Sequence, residues 1–381
     1  LGYNGPHIVN LTINQTPALP RCTGNEYRGC FRLIQQGFPE GLVDPSNFST
    51  ATTRTNYTPA DYRTSYVQSW HFTVQHEIAK NLVLDAGYVG NRSNGLMILA
   101  DYNQARPNNI GESLSLAARR PIQGFDAIQI SYGGGFATYH GMQLKLEKRY
   151  SSGIYLLNSF TWSKAMDNAS GHLEAFNGDN SRVNYRNLGA EKALGAYDQP
   201  FNNTTTAVWE IPYGRGRRWG SVNNAVVNSI LGGWRLTGIN TITSGQPVNI
   251  SYTVPSAQQV SSYPTYRPDY IGGDIYPAEQ TPRAFLNKAA FSTPATNVLF
   301  GNAGRNIART ESIFNFDLGL HKEFTLYRED VKLQFRSEFF NLFNTTNFGA
   351  PAANVSNSDF GQITSLSSPA RQIQFALKLV F

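Results

Sequence analysis

Charge is sparse, cysteine is scarce and long apolar runs are missing, and each shortage bears on a different class of protein. No stretch of eighteen apolar residues occurs in the 381 residues, which argues against a transmembrane helix and so against the inner membrane. Charged residues make up 15% and the net charge of +6 is spread along the chain, with Arg215, Arg217 and Arg218 as its densest cluster. No basic stripe interleaved with stacking aromatics is present, so no nucleic-acid partner is expected. The two cysteines, Cys22 and Cys30, lie close together in a polar stretch punctuated by Gly and Pro. They suit one local disulfide or two free thiols, and as half of a metal site they lack further ligands. The opening residues, Leu1-Gly2-Tyr3-Asn4, carry no initiator methionine, basic segment or apolar segment of a signal peptide, so Leu1 reads as the cut end of a longer chain.

Catalytic motifs are missing too. There is no Walker sequence and no Gly-x-Ser-x-Gly elbow, and Gly214-Arg-Gly216-Arg-Arg-Trp-Gly220 is one residue too long for a dinucleotide fingerprint. The six histidines, His7, His71, His76, His140, His172 and His321, show no metal-ligand spacing. Asp167, Glu174 and Asp179 share a Gly-containing segment and are weighed as Ca²⁺ ligands, but the EF-hand spacing is absent and an ordinary solvated loop is preferred. The expectation is a protein that is not an enzyme, with no catalytic residue, cofactor or metal.

What is abundant is aromatic side chains, 13% of the total, in a chain whose mean hydropathy is only −0.35. Strands that are oily on one face and wet on the other produce that combination. Residues 369–381 show the pattern most clearly: Ile373, Phe375, Leu377, Leu379 and Phe381 alternate with Gln372, Gln374, Ala376, Lys378 and Val380. Phe314, Phe316, Leu318 and Leu320 alternate in the same way with Asn315, Asp317, Gly319 and His321, and Val331, Leu333, Phe335 and Phe339 with Lys332, Gln334, Arg336 and Glu338. A hydrophobic core would not accept the charged set, whereas a watery lumen would. The fold class is therefore all-β, a transmembrane antiparallel β-barrel of outer-membrane type, with a secreted soluble β-sandwich as the competing reading.

Nine strands are expected, at about 66–78, 82–91, 138–150, 154–166, 200–211, 233–249, 312–324, 330–343 and over the closing segment. With Phe381 in the periplasm, the periplasmic links are 79–81, 151–153, 212–232 and 325–329, and the outer links are 92–137, 167–199, 250–311 and 344–368. Three of the first set are short and all of the second are long, as in outer-membrane barrels. The exception, 212–232, holds a helix-permissive segment, Val222 to Leu231, placed along the inner interface. Residues 1–65 are assigned to an extracellular loop region and 66–381 to the C-terminal strands. The outer loops are rich in Asn, Ser, Thr, Gly and Pro and read as solvated, and 92–137, 167–199 and 250–311 are the expected ligand contacts. Lys145, Glu147, Arg149, Lys332, Gln334, Arg336 and Glu338 are the candidate lumen-facing polar residues. Trp162, Trp209, Trp234 and Phe381 are the candidate interface aromatics.

The segments Tyr139-His140-Gly-Met-Gln-Leu-Lys-Leu-Glu-Lys-Arg149, Phe160-Thr-Trp-Ser-Lys-Ala-Met-Asp167, Glu210-Ile-Pro-Tyr-Gly-Arg-Gly216, Leu231-Gly-Gly-Trp-Arg-Leu-Thr-Gly-Ile239, Ser244-Gly-Gln-Pro247 and Phe335-Arg-Ser-Glu-Phe-Phe-Asn-Leu-Phe-Asn-Thr-Thr-Asn-Phe348 form an ordered set. Over roughly residues 60–381 the chain resembles the barrel of Oar-like TonB-dependent receptors of acidobacterial type, a family that carries a carboxypeptidase-regulatory-like domain. The resemblance implies a 22-strand barrel of which these are the last nine strands. It implies import of a large or scarce solute, with TonB coupling through an N-terminal part that this sequence does not contain. The partners so implied are outer-membrane lipid, the TonB complex, the barrel assembly machinery acting on the strand that ends at Phe381, and an extracellular ligand. A barrel that serves adhesion or surface organisation without active transport is the alternative.

Overall fold

The computed structural model describes residues 8–9, 16, 18–24, 26, 29–37, 55–171, 184–214, 218–220, 225–261, 265–326 and 331–381. No helix among them is long and apolar enough to cross a membrane. They are organised around a twelve-stranded sheet with nine long strands. These are β1 (Tyr66–Ala79), β2 (Leu82–Asp101), β3 (Ile128–Ser151), β4 (Ile154–Asp167), β5 (Phe201–Glu210), β6 (Trp234–Thr243), β7 (Ile313–Thr325), β8 (Lys332–Phe340) and β9 (Gln372–Val380). Each long strand pairs antiparallel with the next in sequence. Ile8–Val9, Thr55–Tyr57 and Ala193–Leu194 are the three short strands that complete the sheet.

One end of the sheet carries tight turns. Between β3 and β4, Ser152 and Gly153 both take positive φ, 54° and 78°, the paired left-handed conformation that matches the right-handed twist of a two-residue hairpin. Between β5 and β6 lies a short helix, α1 (Ala225–Leu231), within the segment read as helix-permissive. The other end carries the long connections.

All nine expected segments are strands, but their lengths differ from expectation at the long-loop end. β2 continues to Asp101 and β3 begins at Ile128, so the segment expected as an outer link over 92–137 is largely a hairpin, and only residues 102–127 connect the two strands. Glycine makes this extension possible. A Cβ at Gly135 would lie 2.7 Å from the carbonyl oxygen of Leu96, so the β2 backbone approaches where a side chain would stand. β6 stops at Thr243, and Pro247–Val248 pairs instead with Ala308–Arg309 among the loops.

The register assigns each side chain to a face, because it alternates in strict twos away from bulges. One face gathers Phe72 and Val74 of β1, Met142 and Leu144 of β3, Phe160 and Trp162 of β4, Leu318 and Leu320 of β7, Leu333 and Phe335 of β8, and Phe375 and Leu377 of β9. Much of it is open: Phe72, Phe375 and Leu377 are each 68% exposed. The opposite face carries Asp85, Lys145, Glu147, Thr237, His321, Gln334 and Glu338.

The composition of the loops predicts that they are solvated, and the structure corrects that. The largest apolar cluster lies among them, built on Val248, Ile250, Tyr252, Val260, Tyr266, Phe285, Leu286, Phe291, Leu299, Phe360 and Ile363. Ile250, Val260 and Leu299 are almost completely buried, each side chain contributing about 1.5–3 kcal/mol relative to exposure. Residues 102–127, 184–200, 244–261, 265–312 and 341–371 thus form one interlocked cap on the long-loop end.

Candidate functional site

Among the described residues, the polar face of the wall holds two small networks built on ion pairs. Lys145 Nζ sits 2.9 Å from Glu147 and 3.5 Å from Asp85 on the neighbouring strand. Across β7 and β8, Gln334 donates to Glu323 Oε1 at 2.9 Å, and Lys332 lies 3.9 Å from the same carboxylate. Arg336 and Glu338 share this face opposite His321 and Gly319 but join neither network, and His321 Nε2 is bonded to the Thr237 hydroxyl at 3.0 Å. Arg149 is exposed at the tight-turn end, where pairing with β4 shifts after Lys148.

Trp162, Trp209 and Trp234 all project from the oily face. Trp162, 62% exposed, lies toward the cap, while Trp209 and Trp234 lie toward the tight turns. Phe381 follows the end of β9 at the tight-turn end and is 94% exposed. Amphipathic rings at both ends of an oily band have the placement of aromatic girdles.

Polar side chains interrupt the oily face at several places, and at Asn158 and Lys322 they are satisfied locally, as an apolar medium demands. Asn158 donates to Asn203 Oδ1 at 2.9 Å and to Thr205 Oγ1 at 2.8 Å. Lys322 is buried beneath the end of α1, where its ammonium donates to the carbonyls of Ile230 and Gly232 and stands 5.1 Å and 5.0 Å from the centres of the Trp234 and Phe324 rings. The Trp234 indole donates to the same Ile230 carbonyl at 2.9 Å, so one lysine and one tryptophan fasten α1 to the wall. Val226 and Ile230 of α1 remain exposed. Nothing in the composition marks Lys322 as functional, but its position in the oily register of β7 sets it apart.

The cap is tied by arginine–carboxylate pairs from distant segments. Arg120 bridges Asp101 at 3.1 Å and Asp126 at 2.8 Å; Arg267 meets Glu191 at 2.8 Å; Arg305 pairs with Asp167, and Arg309 with Asp198. Arg119 donates to the carbonyls of Leu114, Arg106, Ala257 and Gln259, joining two loops through backbone acceptors. The Arg106 guanidinium makes two bonds to Glu112 and holds its carboxyl down at about 2. Burial pushes the Tyr252 hydroxyl up to about 12, and Tyr266 and Tyr276 also up.

Asp167, expected in a solvated loop, is instead buried, and its carboxylate is taken by Arg305 and by the Ser170 hydroxyl at 2.9 Å. Glu174 and Asp179 lie outside the described residues, as do His7, His172, Arg215 and Arg217. Among the described residues no group of three or more His, Cys, Asp or Glu is placed to hold a metal. Cys22 and Cys30 are joined as a disulfide in a segment where Arg32 donates to the carbonyls of Gly24 and Gln36.

Residues 1–374 match the model of the outer membrane beta barrel domain, so the chain belongs to that family and is an outer-membrane β-barrel protein. No curated protein matches it. Among solved structures it is similar to the outer membrane transporter YddB from Escherichia coli (13% identity, TM-score 0.43, covering 85% of this chain and 34% of that one). It is also similar to a mutant of the ferric enterobactin receptor PfeA from Pseudomonas aeruginosa (10%, 0.42, 86% and 33%). A third is BauA, the ferric preacinetobactin receptor from Acinetobacter baumannii (11%, 0.39, 98% and 33%). The chain spans about a third of the length of the structures it matches.

Proposed function

We propose that this outer-membrane barrel is of the Oar-like TonB-dependent receptor type and admits a large or scarce solute, capturing it at the long-loop end and releasing it inward under TonB coupling. The observation that carries this reading is the two-faced wall: an exposed oily surface on one side and networks of Lys145, Glu147, Gln334 and Glu323 on the other. On this reading the polar face lines a lumen, the tight turns lie in the periplasm, and residues 1–65 belong with the extracellular loops. The nine long strands are then the last of 22, and β1 and β9, each paired on one side among the described residues, are completed by strands outside this sequence. The barrel assembly machinery would engage β9 and its terminal Phe381. No covalent chemistry is needed; binding and passage suffice. Ligand contact falls on the exposed shell of loops 102–127, 167–199 and 250–311, because the apolar cluster among their described residues is closed to it.

A second reading is favoured by the cap itself. Loops locked together by buried ion pairs present a fixed outer surface, which suits adhesion or surface organisation as well as capture. The test is binding of the full-length protein to the periplasmic domain of TonB. Saturable binding supports the transport reading. A full-length protein that does not bind TonB, and whose surface display increases attachment between cells, overturns it in favour of adhesion.

A further inference from the structure

We propose that the oily face carries a specific site for a phosphate-bearing lipid at the rim beneath the cap. A groove of about 530 Å³ opens there between Tyr88, His140, Met142, Trp162 and Lys164, with Leu194 and Pro200 of the cap above it. The register sets every one of those strand residues on the oily side: Tyr88 opposes Met142, Met142 opposes Trp162, and His140 opposes Lys164. The floor is aromatic and preorganised. Tyr88 Oη is bonded to His140 Nδ1 at 2.7 Å with the two rings stacked, and the Trp70 ring lies 6.2 Å from the imidazole. Trp70 reaches that place because β2 has no side chain at Gly90, where a Cβ would fall 2.2 Å from the indole nitrogen. Flat rings of this kind accept acyl chains or sugar faces at the depth where lipid meets headgroup.

Charge decides the occupant. Lys164 is exposed and makes no ion pair among the described residues, and Arg92, next along the same face of β2 beyond Gly90, is exposed with a single bond to Asn94 at 3.3 Å. Their backbones stand roughly 12 Å apart across β3, a span that two long cationic side chains close around a phosphate. The one carboxylate lining the groove, Asp198, is neutralised by Arg309 and accepts from the Ala165 amide at 2.6 Å. No other acid stands on the oily face of β1 to β4 at this level: Tyr66, Gln68, Trp70, Tyr88, Gly90, Arg92, Thr138, His140, Met142, Trp162 and Lys164 occupy it. Two cations above an aromatic floor, on the membrane side of the wall, fit an anionic lipid of the leaflet nearest the cap.

This inference rests on the oily face being lipid-facing, but not on which end of the barrel points outward. The full-length protein is placed in phosphatidylcholine nanodiscs doped with lipid A or with its dephosphorylated form, both leaflets being available, and the lipid retained after release is counted by native mass spectrometry. The wild-type protein is expected to retain lipid A in preference to the dephosphorylated form and to phosphatidylcholine. Arg92→Gln and Lys164→Gln should each lower retention roughly fivefold, as expected for one cation near a lipid surface, and Lys164→Arg should preserve it. Folding of each variant is checked by heat-modifiable migration, and the wild-type preference stands as a test without any variant. Equal retention of phosphorylated and dephosphorylated lipid overturns the proposal, as does retention unchanged in the folded double variant. Failure of the protein to insert in nanodiscs at all would instead count against the barrel reading.

Discussion

In the wall, Phe375 and Leu377 are 68% exposed while charged residues gather on the opposite face; in the cap, Ile250 and Leu299 are 0% and 2% exposed and buried arginines are met by carboxylates or, at Arg119, by backbone carbonyls. One polypeptide thus follows two opposite rules within a few residues, as at Thr243, where an outward-oily strand gives way to a segment that buries Val248 and Ile250. The wall is held by its ladder of backbone hydrogen bonds and by lipid outside it. The cap is held as a water-soluble domain is, by apolar burial, with Arg267, Arg305 and Arg309 satisfying carboxylates that lie 76 to 138 residues away. The medium on each side, not the average hydropathy of the chain, decides which side chains turn inward.

That contrast can be broken most forcefully at the cap's ion pairs. Arg305→Ala leaves Asp167 buried without its partner and should cost about 3–5 kcal/mol, seen as loss of hydrogen-exchange protection in cap amides while β7 to β9 keep theirs. Equal loss in both regions would show wall and cap to be a single cooperative unit. Phe375→Arg strikes the wall instead. It should cost about 2–4 kcal/mol near the middle of the bilayer, reducing the heat-modifiable folded band, whereas Lys378→Arg one face over should leave that band intact.

Alkaline pH should separate the regions more gently. The cap's tyrosines hold their protons more tightly than the usual value of 10, with Tyr252 at about 12, so the folded cap binds protons that the unfolded chain releases. Their stabilising contribution is whole below pH 10 and is lost as pH rises from 10 through 12. Tyrosinate absorbance should therefore appear late and together with loosening of the cap, and early titration of all tyrosines would contradict the burial. The smallest effect is expected on the polar face. Lys332→Ala removes a long, half-exposed ion pair with Glu323 and should change stability by no more than about 0.5 kcal/mol.

The wall was legible in the sequence because a strand's period of two writes its environment directly into residues such as Phe314 to His321 and Ile373 to Leu379. The extension of β2 and β3 was not, because Gly95 and Gly133 to Gly135 interrupt the alternation and read as loop, when they serve close approach of two backbones. The cap was illegible for a different reason. Its apolar residues follow no period, and pairs such as Arg267 with Glu191 or Arg305 with Asp167 join positions that nothing local connects. Asp167 shows the consequence: its composition places it in a solvated loop, and in space it is buried against an arginine. Lys322 lies between these cases, visible as a break in an oily register but explained only once α1 is seen covering it.

Wall and cap face different media, and site-directed spin labels on the protein in lipid bilayers distinguish the two. Labels at positions 373 to 379 of β9 should alternate, with 373, 375, 377 and 379 accessible to oxygen in lipid and 374, 376 and 378 to a water-soluble nickel complex, while a label at Leu299 should be shielded from both. Uniform accessibility along β9, or a Leu299 label open to the nickel complex, would mean that wall and cap do not divide between lipid and water in this way.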